Sequence, residues 1–429
     1  MKMKMRVSTQ RAIKSSPQAI LNPIWNREVN LSSHVGAVTV EQKHRYAVCL
    51  CGLLVSLVLA ACGGGRIDAP TNVTTAVPEV TNVTGNTTLV NGLAINNFTN
   101  NETISYPLPI LYGLTNPDLS AVQVALNGQS YQAEVVSGVF KLPILLRAGV
   151  NEMTITTGTT SNRFTLNYQA SANPKKVKMM VAIPADEEGR FLAEPGVDNG
   201  LEIAKQKLKV QAWLMQSATA EMMYKAGRSH MTYNLMMDAD GTPLVETLRL
   251  PLSKAELLKK TGNELYDLIA ATIRANAYDA NVKYMVTMSF SSYIDGQVTG
   301  HTALGGGYLG VFGSLHLHTC PTSLSQVNSA FMNTQAIDTK FFPDDSNGRM
   351  AYWANCATGM GASLHELGHT FDLPHTPTGI MSRGFDNFNR LFMLREPAVV
   401  PPLTRDKEAG AIWDPASVTI LLTSEWIKK

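Results

Sequence analysis

Apolar positions recur along this chain with three different periods, each marking a different stretch. Residues 46–61 form an almost continuous apolar run, preceded by Lys43, His44 and Arg45. From about residue 89 to residue 168 the apolar residues come in short runs, among them 122–126, 132–136, 139–146 and 153–156, separated by Gly, Asn and Pro. Runs of this length between turn residues predict strands, and Asn127-Gly128 is the dipeptide of a tight hairpin. Asn173-Pro174-Lys175-Lys176 interrupts the pattern and reads as a boundary. Beyond it, 177–183 is an apolar strand, and 201–224 carries Ile203, Leu208, Trp213 and Met222 at helical spacing, with a middle that also suits a strand. Residues 254–275 place Leu257, Leu258, Leu265, Leu268, Ile269 and Ile273 on one helical face. A strand follows at 284–290, its methionines filling core space, and then a glycine-rich edge strand at 305–314.

Short strands at this spacing predict a small β-sandwich over 89–172, immunoglobulin-like in architecture, serving as a spacer or a binding platform. The succession of strand, helix, strand and edge strand predicts an α+β domain over 173–429. A chain of 429 residues with 45% hydrophobic and 16% charged residues is long enough for a sizeable core and two domains. Its net charge of +2, with no basic patch interleaved with aromatics, gives no reason to expect nucleic acid. Residues 66–101 are rich in Asn, Thr, Val and Gly and read as an extended stalk, with 62–88 as a flexible tether. Asn72, Asn82, Asn86, Asn97 and Asn101 head Asn-x-Thr triplets, glycan acceptors in a secreted eukaryotic protein and plain linker composition in a bacterial one.

The chemistry is concentrated in His365-Glu366-Leu367-Gly368-His369-Thr370-Phe371-Asp372-Leu373-Pro374-His375, followed by Gly379-Ile380-Met381. On a helix His365 and His369 lie one turn apart on one face, so both imidazoles reach a single zinc ion at about 2.0–2.1 Å. Glu366 stands beside them as a general base that takes a proton from a water which zinc has made acidic. His375 comes six residues after His369, too far to share the helix face, so the chain has to turn near Asp372. Three histidines leave the fourth tetrahedral position to water or substrate, the mark of a catalytic zinc site with one ion.

These residues resemble the metzincin clan of zinc metallopeptidases. The resemblance implies a metzincin-like peptidase domain, with Met381 in a tight turn beneath the metal. It also implies a positive φ at the helix end, where the clan usually has glycine and this chain has Asp372, one of the residues that best tolerate that conformation. Gly379-Ile380-Met381-Ser382-Arg383, Asn389-Arg390-Leu391-Phe392, Arg395-Glu396-Pro397, Ala303 to Gly307 and Phe312-Gly313-Ser314 are similar to a zinc metallopeptidase family better known from fungi, over roughly residues 90 to 400. By the same resemblance, Gly305, Gly306 and Gly307 would line the cleft edge that pairs with extended substrate; a bulge without substrate contact is the competing reading. His316 and His318 alternate as on one face of a strand and, like His301, read as ordinary histidines rather than a second metal site. Arg383, Arg390, Arg395 and Glu396 are expected to form buried ion pairs below the site.

The front of the chain concerns address. The run at 46–61 is short for a membrane span and suits a secretion signal, with an uncleaved anchor as the alternative. Leu59-Ala60-Ala61-Cys62 resembles a bacterial lipobox, which implies removal of 1–61, lipidation of Cys62 and attachment to a membrane of the cell envelope, with Gly63 pointing to the outer one. Cys49 and Cys51 fall within the signal, leaving Cys320 and Cys356 as either one disulfide or two buried thiols. The chain thus reads as an exported, lipid-anchored zinc endopeptidase acting on protein or peptide. A hydrolase of cell-wall amides and a surface-binding lipoprotein are the alternatives.

Overall fold

The computed structural model describes residues 89–428 except residue 277. The apolar run, the tether and Cys62 lie outside the described residues.

Eight strands come first: β1 (Leu93–Ile95), β2 (Glu102–Ile104), β3 (Ile110–Thr115), β4 (Ala121–Leu126), β5 (Gln129–Glu134), β6 (Val139–Pro143), β7 (Gly149–Thr157) and β8 (Thr160–Tyr168). Alternation builds them: in β4, Val122, Val124 and Leu126 are buried while Gln123 and Ala125 face solvent. Asn127 and Gly128, at φ 53° and 78°, form the two-residue loop that pairs β4 with β5. One sheet has the order β1-β3-β6, the other β2-β8-β7-β4-β5. Leu111 and Phe140 of the first share one buried cluster with Val122, Ile155 and Leu166 of the second. The stalk reading of 66–101 does not extend this far. Asn97 is buried with its amide on the Ile110 carbonyl at 2.7 Å, because β1 is already paired with β3.

The second region opens with β9 (Lys176–Ile183) and α1 (Leu201–Lys225), then β10 (Asn234–Leu235) and β11 (Val245–Arg249). It continues through α2 (Lys254–Leu257), α3 (Gly262–Asn276), β12 (Val282–Met288), the hairpin β13 (Ser292–Ile294) and β14 (Gln297–Thr299), and a second hairpin, β15 (Leu304–Gly306) and β16 (Leu309–Gly313). After α4 (Val327–Phe331) come α5 (Tyr352–Thr370), a 3₁₀ stretch at Arg383–Leu391 and α6 (Pro415–Thr423). β10, β11, β9, β12 and β16 run parallel, and β15 closes the edge antiparallel to β16. Both faces of this sheet are covered: Val177, Met179, Val181 and Ile183 pack with α1 and α5, and Met180 and Ala182 with α3.

Several expectations need correction. The helix read over 254–275 is two helices, because Thr261 and Glu264 bond reciprocally, Thr261 N to Glu264 Oε2 at 2.8 Å, as a capping box that starts α3 afresh. The single strand at 305–314 is the hairpin β15–β16, turning at Gly307, whose φ is 55°. His316 and His318 share no strand face; they sit at a 3₁₀ turn, Leu317–Thr319, each buried and bonded to a different partner. The ambiguous stretch over 201–224 is one helix throughout. β10 and β11, of two and five residues, are too short to carry a periodicity of their own.

The two regions meet through buried charge. Glu221 on α1 accepts from Asn97 at 3.0 Å, lies 3.3 Å from His230 Nε2 and pairs with Arg405, while Lys141 on β6 reaches Glu408 at 2.6 Å. Burial alone would raise the Glu221 carboxyl, but Arg405, His230 and Asn97 outweigh it and hold it at about 2. A carboxyl held below its usual 4.5 stabilises the fold fully above that value and loses this contribution as pH falls toward 2. Glu221→Gln is therefore expected to weaken the fold at pH 7, with the gap from the parent narrowing between pH 4.5 and 2. Urea unfolding across that range measures it.

Candidate active site

α5 is buried almost end to end, so its sequence is mostly apolar or small on every side, and Asn355, Thr358 and Ser363 within it are hydrogen-bonded. His365, Glu366 and His369 all belong to that last stretch. The helix stops in a Schellman turn: Leu373 N reaches Gly368 O at 3.3 Å and Asp372 N reaches His369 O at 3.1 Å, with Asp372 at φ 64°. The reversed chain then brings His375 Nε2 to 3.2 Å from His369 Nε2, which itself lies 3.1 Å from His365 Nε2.

The other ring nitrogens explain this convergence. His365 Nδ1 donates to Ile380 O at 2.8 Å and His369 Nδ1 to Leu373 O at 2.7 Å, so their Nε2 atoms carry lone pairs turned on one point. Burial lowers the His365 imidazole to about 4 and also lowers His369, which keeps both neutral as ligands must be. Lone pairs this close repel one another unless a cation lies between them. Ligands about 2.1 Å from a tetrahedral zinc stand roughly 3.4 Å apart, so the set fits that ion. Among the described residues this is the one convergent group of three or more His, Cys, Asp or Glu side chains.

Met381 is buried beneath, in the turn that also supplies the Ile380 carbonyl, and Gly379 there has φ 79°. A side chain at Gly368 would run into the Met381 sulfur, so the glycine lets α5 settle onto this turn. Glu366 is buried next to the two helix histidines, and loss of water pushes its carboxyl up to about 8; a dication alongside would pull it back down. His375 is exposed, so the site opens to solvent on its side.

Of the three glycines read as substrate-facing, the structure separates the roles. A Cβ on Gly305 would overlap the Glu366 carbonyl and His369, so this residue is glycine because β15 lies flat on α5. Gly306 and Gly307 face open space or the Tyr266 hydroxyl. Two residues that sequence reasoning missed hold this turn. Tyr266 on α3 bonds the Gly306 and Leu309 carbonyls at 3.0 and 3.2 Å, and Lys283 on β12 donates to Gly307 O at 2.6 Å. Nothing in their local sequence distinguishes them from other helix and strand residues.

Cys320 and Cys356 are joined by a disulfide linking the turn after β16 to the start of α5. Arg390 pairs with buried Glu396 at 2.8 Å, Arg383 with Asp386 at 3.1 Å, and Arg395 with Glu134 at the surface, so only the first two have a buried carboxylate partner. Glu396 is engaged by Arg390 and Asn389 and does not join the histidines. His301 is half-buried against Phe312, and loss of water lowers it to about 4.

A family described as "Putative peptidase family" (Metallopep) matches residues 93–422. The chain belongs to this family. Two curated proteins of similar sequence are named "putative zinc metalloproteinase": one from Schizosaccharomyces pombe, 27% identical over 332 residues, and one from Saccharomyces cerevisiae, 26% identical over 347. These alignments take in 71% and 70% of this chain but 54% and 49% of the relatives, so the chain spans about half the length of the curated relatives it matches. Among solved structures, OgpA from Akkermansia muciniphila superposes with a TM-score of 0.38 at 13% identity, over 60% of this chain and 62% of that one.

Three substitutions test how the site is built. Gly305→Ala is expected to cost about 1–3 kcal/mol through overlap with α5. Gly307→Ala, in open space at φ 55°, costs only the left-handed strain, about 1 kcal/mol. Asp372→Gly stabilises by up to about 1 kcal/mol. Urea unfolding of the four proteins ranks them, and an unchanged Gly305→Ala would contradict the close approach.

Proposed function

We propose that the protein is a one-zinc endopeptidase of metzincin-like architecture, with His365, His369 and His375 as ligands and Glu366 as base. The observation that carries this reading is the position of the β15 edge beside the converging Nε2 atoms. Gly306 and Leu309 close a two-residue loop as a hydrogen-bonded pair, which makes Gly305 and Gly310 the next, non-bonded pair. The Gly305 N–H and C=O therefore point away from β16, along an outer edge with no further strand among the described residues. An extended peptide adds to such an edge as another strand, placing one of its carbonyls near the histidines.

Zinc held by the three imidazoles would polarise that carbonyl and make a neighbouring water acidic. Glu366 takes the proton from the attacking water and returns it to the leaving amine nitrogen, the two transfers of peptide hydrolysis. Its buried setting excludes competing water from the carboxyl. Tyr266 and Lys283 keep the edge strand in place while substrate pairs with it.

We also read the protein as exported and tethered to the envelope through lipid on Cys62, in the outer membrane. The apolar run and Leu59-Ala60-Ala61-Cys62 support this, and the Cys320–Cys356 bond suits an oxidising compartment.

The segment beginning after Cys62 is expected to hold one equivalent of zinc and to hydrolyse casein. Glu366→Ala should keep the zinc and lose activity by about 10²–10⁴-fold. Zinc without cleavage across a broad peptide panel would shift the reading to non-protein amides or binding, and a protein that takes up no zinc would end it.

A further inference from the structure

The wall that follows the Met381 turn holds a fixed cation. Ser382 N and Gly384 N both reach Gly379 O at 3.0 Å, so the chain folds tightly here and leads directly into Arg383 and Phe385. The Arg383 guanidinium lies over the Phe385 ring at 4.9 Å, and that ring meets the His365 imidazole edge-on at 5.5 Å. The cation is thus one aromatic ring away from a metal ligand.

Arg383 is also held in orientation. Its Nε and Nη2 donate to the two Asp386 oxygens, each at 3.1 Å, and buried Asp386 is itself bonded by Thr358 and Asn347, both at 3.2 Å. This is not a surface pair of two mobile side chains: the carboxylate is buried while the Arg383 side chain is 42% exposed, so the cation is the exposed member of the pair. Asp386 occupies the Nε side of the fork. Among the described residues Nη1 has no hydrogen-bond partner, and Nη1 with the second Nη2 proton forms the end-on pair of donors that a carboxylate accepts.

We propose that Arg383 is a specificity-determining residue that binds a substrate carboxylate, so that the site prefers peptides carrying an acidic group beside the scissile bond. The inference rests on the peptidase reading above. The carboxylate has two possible sources, an Asp or Glu side chain within a longer peptide, or the free C-terminus of a short one.

The experiment uses the zinc-loaded Glu366→Gln protein, which binds without cleaving, and three fluorescent peptides: acidic with an amidated C-terminus, neutral with a free C-terminus, and neutral with an amidated C-terminus. One of the first two is expected to bind at least about tenfold more tightly than the third, and which one does so identifies the source of the carboxylate. Adding Arg383→Gln should erase that difference at unchanged zinc content, whereas Arg383→Lys, which keeps the charge without the fork, should retain part of it. Equal affinity for all three peptides, or a preference that survives Arg383→Gln, overturns the inference. If the parent still cleaves the neutral amidated peptide, the peptidase reading stands alone; if no peptide binds or is cleaved, both fall.

Discussion

Two backbone carbonyls, Ile380 O and Leu373 O, fix which nitrogen of each helix histidine is available. An imidazole offers a metal only the nitrogen that carries no proton, and the proton goes where an acceptor waits for it. Both carbonyls come from chain downstream of α5, one in the Met381 turn and the other just past the Schellman turn. The ligand face is therefore set by tertiary structure and not by the helix alone. If either turn were displaced, the Nε2 lone pairs would no longer meet.

The rest of the molecule keeps those turns where they are. α5 lies against β15 through Gly305 and against the Met381 turn through Gly368, two contacts that allow no side chain between the elements. Behind it α1 is buried on all sides from Val210 to Met223 and carries Glu221, through which the strands at 93–168 are bound to α1 and to Arg405. Buried ion pairs of this kind contribute little net stability when intact, but losing one partner leaves a stranded charge that costs about 3–5 kcal/mol. They fix arrangement more than they add strength. The strand region is in this respect part of the framework around the catalytic helix.

The site was legible because its chemistry is local. His365, Glu366 and His369 fall within one helical turn, and His375 and Met381 follow closely enough that spacing alone pointed to a shared ion. Asp372 announced its conformation through its residue type. The strands around Asn127-Gly128 were legible because alternation and turn chemistry agreed. What stayed hidden depends on partners distant in sequence. Tyr266 and Lys283 look like any residue of an amphipathic helix and a buried strand until the fold brings them to the Gly306 turn. The helix break at Thr261 was overlooked because the apolar period runs across it, and a capping box outweighs periodicity there. The His316 and His318 alternation misled because two residues spaced by two are too few to distinguish a strand from a tight turn. Arg383 belongs to a recognisable motif, but its exposure and its fork to Asp386 depend on how the turn after Met381 folds.

The disulfide between Cys320 and Cys356 also divides the chain according to its freedom to change. It closes residues 321–355 into a ring anchored at the end of β16 and the beginning of α5, both of which are tied to the sheet independently of what lies between. Enlarging a closed ring costs little, about 0.6 kcal/mol for each doubling of its length. The exposed parts of this segment, between the buried positions Val327, Phe331, Ile337 and Phe342, could therefore lengthen, shorten or acquire new surface over evolutionary time without moving a histidine. The constraint lies at its two ends, at those four core side chains and at Arg349, which binds Thr358 and the Asp386 carbonyl. A scaffold built this way can diversify what surrounds the cleft while the chemistry inside it stays the same.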